Sequence, residues 1–218
     1  MTIDPSTAPV VWCDFGGVLT APAHETAAAF CARIGTTLPV LVGAMTKVAG
    51  HYGTDDFMEP LDTPLVSMEA WSVEVERVLL DDFQTSVDLS DFAAHWFAGR
   101  PANHELIDHL TELKSRGIRL GMLSNMVPAF EPYWRKMLDP ELFDDLVLSY
   151  QVGVRKPDRG IYDLAAATAS VEPAACILVD DLEKNCRGAR EAGWSAVLFE
   201  DNATAIGRLR VFTTHVTM

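Results

Sequence analysis

The chain contains no apolar run that approaches the roughly 18 residues a membrane span requires. Residues 1–9 are neither basic nor apolar enough to read as a signal peptide. A basic excess is missing too: 17 Lys and Arg stand against 31 Asp and Glu, a formal net charge of −14. Nucleic-acid binding rests on clustered cations, so that class of partner is excluded, and any anionic ligand must be met by a local site. Cysteine is scarce. Cys13, Cys31, Cys176 and Cys186 show no metal-ligand spacing and read as reduced, mostly structural residues, with Cys13 the one open to thiol reagents. There is no nucleotide-binding glycine loop and no Ser-His-Asp order. Together these absences lead to the expectation of a cytosolic chain without membrane or nucleic-acid partners, monomeric or homodimeric.

What the 218 residues do hold is apolar content, 49%, enough to bury a core as one domain or as a core with a smaller insert. The organising stretch is Val10 to Thr20. Four residues of strand propensity end at Asp14, and Gly16 and Gly17 follow, which lets the backbone turn sharply and approach a ligand. By itself this is as consistent with an ordinary turn as with a nucleophile or metal ligand at a strand end.

From residue 21 to about 99 helical spacing recurs without a convincing strand. Helices are expected over 23–34, over 38–49 with Gly50 as a break, over 68–80 with Ser67 as cap and Glu69 in the first turn, and over 90–97. Glu74, Glu76, Asp81 and Asp82 read as a solvated face. Trp71, Trp96 and Phe97 suit either a core or a substrate pocket. An α/β rhythm resumes at residue 103, with strands expected over 118–123, 145–149, 176–179 and 196–199 and helices between them. That alternation implies a parallel, doubly wound sheet.

Polar residues stand where these strands end: Asp14, Ser124 with Asn125, Lys156, and Asp180 with Asp181. Each alone is an ordinary turn, cap or surface residue. As a set, carboxylates with a lysine and a hydroxyl at one sheet edge suit a divalent cation and a phosphate, with an aspartate attacking phosphorus.

At this point the chain resembles the haloacid dehalogenase superfamily over nearly its whole length. Four motifs occur in order: Asp14-Phe15-Gly16-Gly17-Val18, Leu123-Ser124-Asn125, Gly153-Val154-Arg155-Lys156-Pro157, and Asp180-Asp181-Leu182-Glu183-Lys184-Asn185. The resemblance implies a Rossmann-like core over 10–20 and 100–218, with a helical cap over 21–99 that closes the site and selects the substrate. It implies that Asp14 is the nucleophile, that Ser124 and Lys156 are catalytic and hold the phosphoryl group together with Asn125 and Gly17, and that Asn125 orients the neighbouring loop. Mg²⁺ would be bound by Asp14, the backbone carbonyl of Gly16, Asp181 and Asp180, with Asn185 supporting. The implied activity is a Mg²⁺-dependent phosphatase for a small phosphorylated metabolite, working through an aspartyl-phosphate.

One position departs from the pattern. Phosphatases of this family usually carry a second aspartate two residues after the nucleophile, as acid and base for the leaving group, and here that position is Gly16. Three readings follow. The enzyme acts on leaving groups that need little protonation, such as acyl or sugar 1-phosphates, or borrows Thr20 or His24. Alternatively it is a dehalogenase or other carbon-centred hydrolase using Asp14, for which Arg33 is the one early arginine that could hold a carboxylate. In the third reading it is a silent binding protein.

Overall fold

The computed structural model describes residues 8–213. Its sheet has five parallel strands: β1 (Val10–Cys13), β2 (Arg119–Ser124), β3 (Asp145–Leu148), β4 (Cys176–Asp180) and β5 (Ser195–Leu198), in the order β3-β2-β1-β4-β5. Cys13 is in register with Met122 on one side and Val179 on the other. The three central strands are buried on both faces, as continuous apolar runs in a parallel sheet require. The chain fills one side of β1 with β2 and β3, then crosses to the other with β4 and β5. This leaves a topological switch point beside β1, the place where open α/β sheets bind ligands beyond the strands' carboxyl ends.

Eleven α-helices occur among the described residues: α1 (Ala23–Ile34), α2 (Leu38–His51), α3 (Glu59–Asp62), α4 (Met68–Phe83), α5 (Phe92–Phe97), α6 (His104–Ser115), α7 (Glu131–Met137), α8 (Ser149–Val152), α9 (Arg159–Thr168), α10 (Glu183–Glu191) and α11 (Asn202–Thr213). Among the described residues no single helix is long and apolar enough to cross a membrane. The chain forms two compact units. Of the described residues, one comprises 8–21, 101–125 and 138–213; the other comprises 22–100 and 126–137. The doubly wound α/β core with a helical insertion after β1 is thus present. Residues 126–137, read from the sequence as part of the core, pack instead with the helical unit.

In the sheet unit Trp12, Leu123, Ile161, Tyr162, Leu178 and Trp194 lie in one apolar cluster, with Trp12 and Trp194 rings 6.0 Å apart. The helical unit is built around rings. Phe92 meets Phe30 at 4.5 Å, Trp71 at 5.7 Å, Trp96 at 6.0 Å and Phe130 at 6.3 Å, and Phe97 meets Tyr133 at 5.2 Å. Trp71 and Phe97 therefore belong to this aromatic interior, and Trp96, half-buried, packs against its rings.

Three local expectations change. The α2 helix passes through Gly50 and ends at His51, with Tyr52 as its cap, before Gly53 at φ +78°; a helical glycine costs about 1 kcal/mol, less than the burial of Leu41, Ala44, Met45 and Val48 supplies. The short α3 has no helical period in the sequence and was not expected. The acidic face of α4 is only in part solvated: Glu74 accepts from Tyr52 Oη at 2.6 Å and Glu76 from the Leu89 N–H at 2.6 Å, whereas Asp81 and Asp82 are exposed as expected, Asp82 in a surface pair with Lys47 at 2.9 Å. Ser67 does cap α4, accepting from the Ala70 N–H at 3.2 Å.

Candidate functional site

Neighbouring strands run about 4.8 Å apart, so residues that end three adjacent strands in register are forced together. Asp14 follows β1 directly and donates its N–H to the Val179 carbonyl at 2.9 Å, while Ser124 ends β2 and Asp180 ends β4. Lys156 comes from the turn after α8, where Gly153 takes the left-handed conformation. Its fully buried ammonium reaches Asp14 Oδ1 at 2.9 Å and Asp180 Oδ2 at 2.5 Å.

Each of these groups is held from behind. Asp180 Oδ1 accepts from the Leu182 N–H and from Asn185 Nδ2, both at 2.9 Å. Asn125 grips the backbone of Lys156 at both ends, with Nδ2 donating to its carbonyl at 2.9 Å and Oδ1 accepting its N–H at 2.8 Å. Tyr162, which the motifs did not single out, donates its hydroxyl to the Asn185 carbonyl at 2.8 Å. Its sequence signal is only an aromatic among the apolar positions of α9.

Asp14, Asp180 and Asp181 each present one oxygen within 4.8 Å of the other two. Against three carboxylates stands one ammonium, an imbalance that a divalent cation with hard oxygen ligands would correct. The titration behaviour agrees. Burial raises Asp14 above the ordinary carboxylate range, Lys156 opposes the shift and Asp180 adds to it. Burial first, then the Asp14 and Asp180 charges, push Asp181 up to about 7. Burial works against the Lys156 ammonium, but the two carboxylates overcome it and hold the group above the usual lysine range.

Gly16 and Gly17 lie in the turn Phe15–Leu19. Gly17 sits at φ +77°, and a Cβ there would strike the Asp181 carboxylate, so only glycine fits between turn and acid. The six polar residues expected at the strand ends, Asp14, Ser124, Asn125, Lys156, Asp180 and Asp181, all lie in the sheet unit, as does Asn185 on α10. The borrowed acids fare differently. Thr20 is buried and donates its hydroxyl to the Phe15 carbonyl at 3.2 Å, while His24 is exposed on α1. Arg33 is engaged as well, donating to the His95 carbonyl at 3.2 Å and to the Ala98 carbonyl at the end of α5. Cys13 is buried and its thiol is pushed up to about 12, chiefly by burial, which removes the expected sensitivity to thiol reagents.

Comparison with known proteins accords with this geometry. A family model described as haloacid dehalogenase-like hydrolase matches residues 9–193. Bifunctional epoxide hydrolase 2 of Sus scrofa is 26% identical over 212 residues, 92% of this chain and 38% of that protein, so the chain spans well under half the length of this relative. Phosphoserine phosphatase of Thermus thermophilus is 35% identical over 164 residues, 69% of this chain and 65% of that protein. Among solved structures, a HAD-family enzyme of Bacteroides thetaiotaomicron in complex with magnesium and inorganic phosphate shares the fold at a TM-score of 0.65 and 20% identity, covering 87% of this chain and 93% of its own. With the model matched across most of its length, the chain belongs to the haloacid dehalogenase-like hydrolase family.

Proposed function

We propose that this hydrolase is a Mg²⁺-dependent phosphatase that releases phosphate from a small phosphorylated metabolite through an aspartyl-phosphate on Asp14. The observation that carries the reading is the buried Lys156 ammonium bridging Asp14 and Asp180 beside Asp181. An ammonium and a hydroxyl next to a nucleophilic carboxylate are suited to holding phosphoryl oxygens. Asp14, Asp180, Asp181 and the Gly16 carbonyl would hold the ion, which when bound offsets negative charge on both nucleophile and phosphate.

Lys156 and Ser124 position the phosphoryl group, and Asn125 fixes Lys156. An Asp14 oxygen then attacks phosphorus, forming a P–O bond as the bond to the leaving group breaks and its electron pair departs with the leaving oxygen. Water attacks the same phosphorus in the second step. The Asp14–phosphorus bond breaks, phosphate leaves and the carboxylate is restored.

Residue 16 supplies no proton, and a positioned acid is worth on the order of 10²–10⁴ in rate. The proposed substrates are accordingly those with good leaving groups, acyl phosphates or sugar 1-phosphates. A carbon-centred dehalogenase reading is weaker here, because three clustered carboxylates invite a cation and Arg33 already caps α5. The test is phosphate release from a panel of acyl phosphates, sugar 1-phosphates and alkyl monoesters, with Mg²⁺ and with chelator, using Asp14→Asn as control. Metal-dependent release that the variant loses supports the reading; no release anywhere in the panel overturns it.

A further inference from the structure

Asn103, the residue before α6, and Asn202, the first of α11, stand 99 positions apart and pair amide to amide. Asn103 Nδ2 donates to Asn202 Oδ1 at 2.8 Å, and Asn202 Nδ2 donates back to Asn103 Oδ1 at 3.0 Å. The second hydrogen of each amide is also used. Asn103 Nδ2 donates to the Val18 carbonyl at 2.8 Å, and Asn202 Nδ2 to Glu105 Oε2 at 2.8 Å. The backbone N–H of Asn103 meets the Leu19 carbonyl at 2.9 Å. Flipping either amide would set oxygen against oxygen, at Val18 or at Glu105, so the network has one orientation.

These bonds grip the far end of the turn that follows Asp14. Its near end is fixed by Asp14 N–H on Val179 and by the Thr20 hydroxyl on Phe15. Between the two lie the Gly16 carbonyl and Gly17, whose Cα faces the Asp181 carboxylate with no room for even a methyl group. A turn so tightly set against an acid cannot shift without moving the acid or the nucleophile. We propose that the Asn103–Asn202 amide pair positions the Asp14–Gly17 turn for metal binding and phosphoryl transfer, with both asparagines as positioning residues. The proposal rests on the phosphatase reading.

The test measures affinity for Mg²⁺ alone by calorimetric titration, together with kcat and KM for a phosphate released by the wild type. Partners that orient metal ligands are typically worth 10–100-fold, so Asn202→Ala is expected to weaken Mg²⁺ binding and lower kcat by roughly that factor, with KM within about twofold. Asn202→Asp keeps the shape but turns a carboxylate on Glu105 and is expected to lose at least as much. Leu209→Ala, at a buried apolar position of α11, controls for mere loosening of the helix and is expected to lower stability while leaving Mg²⁺ affinity unchanged. Folded Asn202 variants with wild-type Mg²⁺ affinity and kcat, or a Leu209→Ala that loses both, overturn the inference and leave the phosphatase reading standing. A wild type that neither binds Mg²⁺ nor releases phosphate overturns both.

Discussion

In the sheet unit, Asp14, Lys156 and Asp180 are charged groups buried among apolar strands, whereas the interior of the helical unit is ring against ring, Phe30, Trp71, Phe92 and Phe130. Burying a charge costs several kcal/mol unless it is paired, while burying an aromatic ring stabilises outright. One unit is therefore held partly against a cluster of its own charges, and the other, where Asp62 is the one charged residue buried among the described residues, mainly by packing. The helical unit also has polar contacts, such as Tyr52 with Glu74 and Ser67 with Ala70, but they join helices and cap ends. The difference shows where chemistry is located: an imbalanced charge cluster kept out of water asks for something to complete it, in the proposed function a cation and a phosphate.

The comparison can be broken first at Lys156. Lys156→Met leaves two carboxylates buried without their counter-ion and is expected to cost about 3–5 kcal/mol in urea unfolding at pH 7.5, and less at pH 5.5, where the carboxylates take up protons. Turnover should be abolished with it. Trp71→Ala in the helical unit is expected to cost about 3–5 kcal/mol as well, by opening a cavity, but equally at both pH values. Equal pH dependence in the two variants would erase the distinction.

A subtler effect concerns Asp181. Its folded pKa of about 7 lies above the ordinary value of 3.8, so between these values the folded chain binds more protons than the unfolded one and stability declines as pH rises. Mg²⁺ held there, as proposed, would require the carboxylate and so reverse this trend. Added Mg²⁺ should raise the unfolding midpoint more at pH 8 than at pH 6, and Asp181→Asn should flatten both dependences. The smallest expected change is Ser67→Ala, which removes the cap of α4 for about 1 kcal/mol and, being in the helical unit, should leave Mg²⁺ affinity as it was.

Much of the sheet unit was legible because its signals are local: an apolar run, a polar residue at its end, a glycine after it. Asp14, Ser124 and Asp180 could be aligned from sequence because parallel strands in register deliver their ends to one edge. The joints were not legible. Asn125 on Lys156, Tyr162 on Asn185 and Asn103 on Asn202 span 23 to 99 positions, and nothing in a residue's neighbourhood reveals a partner that distant. The affiliation of 126–137 with the helical unit is of the same kind, since the rings that Phe130 and Tyr133 meet are more than 30 positions away. Gly50 misled for the opposite reason, because a local breaker was overruled by packing along α2.

The most direct test of the central claim is where oxygen from water ends up. Turnover of an acyl phosphate or sugar 1-phosphate in ¹⁸O-labelled water, followed by mass spectrometry of the released phosphate and of the peptide carrying Asp14, separates attack at phosphorus from attack at carbon. The account predicts label in the phosphate and none in Asp14, since water cleaves the bond between phosphorus and the aspartate. Label in the Asp14 carboxylate would mean that an ester on Asp14 is hydrolysed at its carbonyl carbon, and would contradict the proposed phosphatase mechanism.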